Sequence, residues 1–286
     1  MLAIIGGTGL YNLPNVKIVS EEIVETPFGT PSGPIIRARL DDKELLFLAR
    51  HGVGHKFLPG EVNYRANIFA LKKAGTKTVL SVSAVGSLRE NLHPGDLVAI
   101  DQYLDFTKGK RISTFFGEGI AGHITGAYPV SKLLQQLILE VGNSLMFQKR
   151  KIHTSGTYVC VEGPRLGTRA ESLMFRTLGA DIVGMTNVPE CFLAREAQIA
   201  YASVGVVTDY DSWQDDPSQH VDVSKIFALY SEALSDVVRL IESLIVRYSS
   251  SAIEECPSRT ALKHSILTDE NRLTHDSKEL LKVLRL

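Results

Sequence analysis

The chain has few of the features that mark specialised protein classes. Its 286 residues include only one tryptophan and three cysteines, and Cys160, Cys191 and Cys256 are far apart in the sequence. An odd number of distant cysteines forms neither a CxxC metal knuckle nor a disulfide framework. The cysteine content therefore favours a reducing cytoplasm as the location of this protein.

The chain also lacks an excess of charge of either sign. Thirty-one Lys and Arg face 32 Asp and Glu, which gives a formal charge of -1, so no overall field attracts a polyanion. No window approaches the roughly 18 apolar residues of a membrane-spanning helix. The N-terminus opens on an apolar strand and lacks the basic region of a signal peptide. We therefore expect a soluble protein whose partners are neither nucleic acid nor membrane.

The sequence does contain a regular alternation of short apolar runs with segments of helical period. This pattern is typical of a sheet covered by helices, and it predicts the α/β class. We expect one domain over residues 1–250 and a C-terminal extension over 251–286 packed on that domain. Predicted strands are 2–5, 35–40, 44–49, 78–82, 97–100, 157–161, 182–185 and 205–208. Predicted helices are 62–74, 132–141, 169–178, 189–202 and 223–248.

A glycine-rich run, Gly6-Gly7-Thr8-Gly9, follows the first predicted strand. Glycines let the backbone approach an anion and the threonine hydroxyl adds a donor, so the run fits a phosphate loop. No Gly-Lys-Ser/Thr follows, and the third glycine of a GxGxxG fingerprint is missing. Because glycine is also common in tight turns, the run alone leaves a phosphate loop and a plain turn open.

A cationic cluster, Arg50-His51-Gly52-Val53-Gly54-His55, follows another apolar strand. Arginine offers a planar fork to a phosphate or carboxylate, and histidine adds a donor near neutral pH. Anion capture is therefore one interpretation, and a solvated structural loop is the other. The HxxxH pair is interrupted by glycines and lacks the adjacent glutamate of a zinc helix, so we expect no metal here.

Three more strand ends carry polar residues, at the place where open α/β sheets bind ligands. They are Ser83-Ala84, Met185-Thr186 and Thr208-Asp209-Tyr210-Asp211. In a half-buried pocket, one carboxylate can accept a hydrogen bond from an exocyclic amine while the other, with its pKa raised by burial, donates a proton. Each run also has an ordinary interpretation: a loop without ligand, a methionine that fills the core, and aspartates in caps or turns.

Taken in order, these motifs resemble the trimeric purine nucleoside phosphorylase family, and specifically its methylthioadenosine phosphorylase branch. The resemblance extends from residue 2 to about residue 248, and it is carried by residues 4–9, 50–52, 84–88, 162–165, 184–190 and 208–213. It implies a single-domain phosphorylase/hydrolase-like fold with a central mixed sheet flanked by helices, assembled as a homotrimer or as a hexamer of two trimers. It also implies reversible phosphorolysis of 5'-methylthioadenosine, with inorganic phosphate as co-substrate and without a metal or organic cofactor.

The resemblance further implies a role for individual residues. Asp209 would protonate or hydrogen-bond purine N7, Asp211 would bind the 6-amino group, and Met185 would lie beneath the ribose. His123 would reach into the site of a neighbouring subunit. The remaining roles are phosphate binding, by Thr8, Arg50, His51, Ser83, Ala84 and Thr186, and formation of an apolar methylthio pocket, by Val223 and Ile226.

Two departures from the family pattern bear on these expectations. Leu166 stands where the branch has a phenylalanine that stacks on the base, which keeps a phosphorylase for 6-oxopurine nucleosides or methylthioinosine as the alternative function. Such enzymes carry asparagine where this chain has Asp209, so Asp209 argues against the 6-oxopurine alternative. Ser258 replaces the second cysteine of a Cys-x-Cys pair, so we expect no disulfide there. A nucleotide-binding regulatory protein and a dinucleotide oxidoreductase are the less favoured alternatives from other classes.

Overall fold

The computed structural model describes residues 1–7, 13–215 and 223–286, and within these ranges 11 strands form one sheet. The strands are β1 (Leu2–Gly6), β2 (Lys17–Glu22), β3 (Ile35–Leu40), β4 (Lys43–Ala49), β5 (Thr78–Ser87), β6 (Leu97–Ile100), β7 (Gln102–Phe106), β8 (Ile152–His153), β9 (Thr157–Val161), β10 (Ile182–Gly184) and β11 (Ala200–Asp209). The helices are α1 (Tyr64–Lys73), α2 (Lys132–Ser144), α3 (Arg169–Thr177), α4 (Asn187–Glu196), α5 (Val223–Arg247), α6 (Ser250–Ile253) and α7 (His275–Leu284).

The sheet is mixed, and its longest strands lie at the centre. Its order is β2-β3-β4-β1-β5-β10-β9-β7, and β11 pairs with both β5 and β6. β5 runs parallel to β1 and β11 but antiparallel to β10. The predicted α/β class with a central mixed sheet flanked by helices is therefore confirmed.

Both faces of the central strands are buried, as their continuous apolar runs predict. On one face Leu80 of β5 packs in the same cluster as Leu240 of α5. On the other face Val79 of β5 shares a cluster with Ile68 of α1. The loops at the strand ends are thereby attached to a rigid, doubly covered sheet.

Several predicted boundaries were wrong. The helix predicted over 189–202 ends at Glu196, and residues 200–202 begin β11. Gln198, with φ 53°, turns the chain between the two elements. Strands β2, β7 and β8 were not predicted: β2 is exposed along its whole length and so carries no alternating pattern, and β8 has only two residues. The central strands β5 and β11 are also longer than predicted, with ten residues each.

The C-terminal segment contributes leucines to the face of the core that α1 covers. Leu262, Leu273, Leu281 and Leu284 belong to one buried cluster with Ile68 of α1. All three cysteines of the chain are buried and carry free thiols. Among the residues that the structure describes, no helix is long and apolar enough to cross a membrane.

Candidate active site

A cavity of about 480 Å³ lies beside the C-terminal half of β5, where loops after β1, β4, β10 and β11 converge. The sheet order explains this convergence, since β1, β10 and β11 each pair with β5, and β4 pairs with β1. The cavity brings together many of the residues predicted from the sequence. They are Arg50, His51, Ser83, Ala84, Leu166, Met185, Thr186, Asp209, Asp211 and Ile226.

Among the predicted site residues whose side chains the structure describes, His123 alone does not line the cavity. Thr8 lies outside the described residues. Val223 begins α5, but its side chain is outside the described part of the chain. His123 lies in a loop, and its backbone N–H donates to the carbonyl of Ser265 at 2.8 Å. The role of His123 in the site of a neighbouring subunit stays a prediction.

Arg50 is held in a buried network behind the cavity wall. Its Nε lies 2.7 Å from Oε2 of Glu190, and its Nη2 lies 3.0 Å from Oε1 of the same carboxylate. Nη2 also donates to Ser81 Oγ, and Nη1 donates to the carbonyl of Val82. Burial opposes the charge, but the carboxylate of Glu190 raises the pKa of Arg50, so the guanidinium stays cationic. Within the described ranges, these contacts use four of its five N–H bonds.

His51 presents an acceptor to the cavity at neutral pH. Its Nδ1 lies 2.8 Å from the carbonyl oxygen of Phe57, and because a carbonyl only accepts, Nδ1 carries the hydrogen. Burial and the charge of Arg50 lower the pKa of His51 to about 4, so the ring is neutral and Nε2 is unprotonated. The ring stacks on His55 with 4.3 Å between centroids. His51 was predicted to be a donor, but in the neutral ring the hydrogen is on Nδ1 and the nitrogen that remains, Nε2, can only accept.

Small polar groups from β5 and the start of α4 complete this part of the wall. Ser83 Oγ donates to Oδ1 of Asn187 at 3.2 Å, and Asn187 is fixed by its own bond to Ser203. Thr186 Oγ1 is buried without a hydrogen-bond partner among the described residues, which leaves it for a ligand. Ala84 is exposed while its neighbours in β5 are buried, and it lines the cavity.

The two predicted carboxylates both line the cavity, Asp209 half-buried and Asp211 buried. The Thr208 hydroxyl donates to Oδ1 of Asp209 at 2.7 Å, and the Asp211 N–H donates to Oδ2 at 2.9 Å. Burial nevertheless raises the pKa of Asp209 to about 6. Asp211 accepts a hydrogen bond from the Ser172 hydroxyl at 2.5 Å, and burial raises its pKa too. Asp209 is therefore a group that can gain and lose a proton near neutral pH.

The backbone around Asp209 explains its position. The register of β11 against β5 shifts between Val207 and Asp209, which brings Asp209 opposite Gly86. A Cβ at Gly86 would lie 3.1 Å from Oδ2 of Asp209 and 3.2 Å from Cβ of Asp211. A glycine at this position therefore lets both carboxylates lie close against β5.

Arg111 fixes the part of the cavity wall that contains Met185, and sequence reasoning missed it. Its Nη1 donates to the carbonyls of Met185 at 2.5 Å and Val188 at 2.8 Å. Its Nη2 and Nε bind the carbonyl and carboxylate of Glu162. The thioether of Met185 also packs on Gly163, where a Cβ would lie 2.5 Å from the sulfur. Arg111 lies in a polar loop without periodicity, so no local pattern marked it.

Helix α5 contributes an apolar wall that is larger than predicted. Phe227 and Tyr230 line the cavity together with Ile226. Their helical spacing is visible in the sequence, but an apolar stripe of this kind more often marks core or subunit interface than the lining of a pocket. The signal that could have revealed them is their position directly beside the predicted pocket residue Ile226.

In the part of the chain that the structure describes, no three His, Cys, Asp or Glu side chains are grouped so that they could hold a metal ion. The polar groups of the cavity are instead hydrogen-bond donors, one buried ion pair and two carboxylates.

Comparison with known proteins places this arrangement in context. The sequence model of the phosphorylase superfamily matches residues 1–242. The S-methyl-5'-thioadenosine phosphorylase of Geobacter sulfurreducens is 40% identical over 284 residues, which cover 99% of this chain and 97% of that protein. The enzyme of the same name from Hyperthermus butylicus is 46% identical over 238 residues, covering 83% of this chain and 85% of the relative.

Solved structures are similar over almost the whole chain. The crystal structure of a methylthioadenosine phosphorylase from an antarctic soil metagenomic library has a TM-score of 0.93 and 39% identity, and the match covers 99% of this chain and 98% of that one. Methylthioadenosine phosphorylase from Schistosoma mansoni in complex with adenine has a TM-score of 0.85 and 33% identity, covering 93% and 98%.

Proposed function

Because the chain belongs to the phosphorylase superfamily, we propose that it catalyses the reversible phosphorolysis of 5'-methylthioadenosine to adenine and 5-methylthioribose 1-phosphate. The names of the relatives at about 40% identity support this substrate. The observation that carries the proposal is a single cavity that combines anion donors, a carboxyl with a pKa near 6 and an apolar helix wall.

The spacing of polar groups along β5 fits a nucleoside with phosphate beside it. Ser83 pairs with Gly205 of β11, and Gly86 pairs with Asp209. Gly86 is three positions after Ser83 on the strand, which is about 10 Å at a rise of about 3.3 Å per residue. That length accommodates a ribose between a phosphate at Ser83 and a base at Asp209.

In this proposal the phosphate is bound by neutral donors and one fixed cation. Arg50 offers its remaining N–H, and Thr186 and the backbone at Ala84 add donors that a phosphate dianion needs. The Ser83 hydroxyl joins them by turning its one hydrogen from Asn187 to the phosphate. His51 accepts the P–OH hydrogen at Nε2, as its Nδ1 contact with Phe57 requires. Thr8 would complete the site. Phosphate is then the co-substrate, and no metal or organic cofactor takes part.

The base leaves with a proton from Asp209. As the bond between C1' and N9 breaks, Asp209 transfers its proton to N7, and a phosphate oxygen forms the new bond to C1'. Met185 lies beneath the ribose, and the negative phosphate balances the charge on the sugar. The products are neutral adenine, the sugar phosphate and an Asp209 carboxylate, which regains the proton that the phosphate ester releases. Asp211, held by Ser172, accepts a hydrogen bond from the 6-amino group.

The remaining parts of the cavity fit the substrate's two ends. Ile226, Phe227 and the ring of Tyr230 provide an apolar surface for the methylthio group, with Val223 as the expected further contact. Leu166 lines the cavity at the place where the resemblance implies contact with the base. An aliphatic side chain there supplies burial without stacking.

We also propose that the enzyme is a homotrimer, or a hexamer of two trimers, located in the cytoplasm. Ile112 and Tyr128 expose large apolar surfaces in the loop that contains His123, which supports a subunit contact there. The three free thiols support a reducing compartment. Light scattering after size exclusion measures the assembly, and His123→Ala in the assembled enzyme is expected to raise the KM for the nucleoside.

The function is tested by measuring adenine release with and without phosphate. We expect release from methylthioadenosine only when phosphate is present, and a kcat/KM for methylthioadenosine above those for adenosine, methylthioinosine and inosine. Preference for methylthioinosine or inosine would support the 6-oxopurine alternative, and absence of turnover with all four would refute a phosphorylase.

A further inference from the structure

The carboxylate of Glu190 lies behind the cavity and contacts the candidate phosphate-binding arginine in a defined geometry. Glu190 does not line the cavity, and only 1% of its surface is exposed. Its two oxygens bind Nε and Nη2 of Arg50 at 2.7 and 3.0 Å. This two-point contact fixes the plane of the guanidinium as well as its distance.

The carboxylate is itself fixed by two hydroxyl groups from the sheet. Ser81 of β5 donates to Oε1 of Glu190 at 2.7 Å, and Tyr201 of β11 donates to the same oxygen at 2.9 Å. Ser81 also accepts from Nη2 of Arg50 at 2.5 Å. Neither Ser81 nor Tyr201 lines the cavity. A counter-charge alone requires only proximity, whereas this network restrains the carboxylate in one orientation.

The network leaves one N–H bond of Arg50 without a partner among the described residues. Nη1 donates one hydrogen to the carbonyl of Val82, so its second N–H is the one that the described residues leave for a ligand. We propose that Glu190 is a positioning residue that holds Arg50 with this N–H toward the phosphate. The inference rests on the proposed function, because it assigns a role in binding the phosphate co-substrate.

The test changes the length of the side chain while keeping its charge. Glu190→Asp shortens the side chain by one methylene, so the carboxylate cannot keep both bonds to Arg50 and both hydroxyl bonds. We expect the KM for phosphate to rise about tenfold or more, while the KM for methylthioadenosine and kcat at saturating phosphate change by less than about threefold. A phosphate KM that stays unchanged or falls would overturn the inference.

Glu196 provides a matched control on the same helix. It is 4% exposed, and its carboxylate binds Thr114 and the backbone of Phe115 away from the cavity. Glu196→Asp disturbs a buried carboxylate of α4 equally, and we expect its phosphate KM to stay at the wild-type value. An equal rise in both variants would show a general structural effect and would also overturn the inference.

Two further variants keep the test decisive. Glu190→Gln is expected to raise the phosphate KM as well, because an amide cannot accept from Nε and Nη2 together. A fall in the phosphate KM would instead show that the charge of Glu190 only repels the phosphate. If Glu190→Asp does not fold, Tyr201→Phe decides, with an expected rise in phosphate KM of about threefold and refutation if there is none. Wild-type enzyme without phosphate-dependent adenine release would refute the proposed function instead.

Discussion

Replacing Asp209 by asparagine tests whether a protonated carboxyl drives departure of the base. The amide keeps the size of the side chain and can still donate a hydrogen bond to N7, but it has no proton to transfer. Loss of a correctly placed general acid costs about 10²–10⁴ in rate, so we expect kcat for methylthioadenosine to fall by that factor. The KM for phosphate is expected to stay nearly constant, because Asp209 pairs with Gly86, which lies about 10 Å from Ser83 along β5.

The pH dependence of the wild-type enzyme tests the same role, because only the protonated form of Asp209 can transfer a proton. Burial raises the pKa of Asp209 to about 6, so the active, protonated form predominates below pH 6 and about one tenth remains at pH 7. We therefore expect kcat/KM to decline on a basic limb with an apparent pKa near 6. Asp209→Asn is expected to remove this limb. The ratio of kcat/KM in the wild type to kcat/KM in the variant should therefore fall as pH rises.

Two neighbouring variants serve as controls in the same adenine-release assay. Asp211→Asn is expected to raise the KM for the nucleoside and to retain the basic limb, moved slightly lower because the charge of Asp211 raises the pKa of Asp209. Thr208→Val removes the hydroxyl hydrogen bond that lowers the pKa of Asp209. We therefore expect the basic limb of kcat/KM in this variant to lie at higher pH. A full wild-type kcat, or an unchanged basic limb, in Asp209→Asn would refute the proton-donor role.

Three other substitutions test the base contact, the 5' pocket and the core. Leu166→Phe supplies an aromatic ring worth about 0.5–1.5 kcal/mol, so adenine affinity measured by calorimetry should rise about two- to tenfold; no change would place Leu166 away from the base. Ile226→Ser removes apolar surface, and we expect the ratio of kcat/KM for methylthioadenosine over adenosine to fall about tenfold; an unaltered ratio argues against the methylthio contact. Leu80→Ala, at a fully buried position near the start of β5, should lower the free energy of unfolding in urea by about 2–5 kcal/mol, and a loss below about 1 kcal/mol would contradict the assigned packing.

The fold class was predictable because the central strands carry strong local signals. β1 and β4 are apolar runs buried on both faces, and this pattern needs no knowledge of distant contacts. The exposed strand β2 forms only by pairing with β3, so its residues carry no hydrophobic pattern. The helix predicted over 189–202 was extended too far at its C-terminal end. The alanine-rich sequence after Gln198 suits a helix or a strand, and pairing with β5 selects the strand.

The candidate site was predictable where its residues lie next to strand ends in recognisable motifs. Asp209 and Thr186 are of this kind, and the fold brings both to one cavity. Arg111 was not predictable, because its contacts with Met185 and Glu162 join residues 74 and 51 positions away. The acceptor role of His51 also depends on a carbonyl contact, with Phe57, that no motif specifies.

The burial of Cys160, Cys191 and Cys256 has a practical consequence for studying the assembly. With relative exposures of 0%, 0% and 4%, the native thiols are shielded from maleimide dyes. A new cysteine at an exposed position such as Asn143, near the end of α2, would then be the one group that reacts rapidly in the folded enzyme. Fluorescent labels attached there would report subunit exchange in the proposed trimer without altering any native thiol.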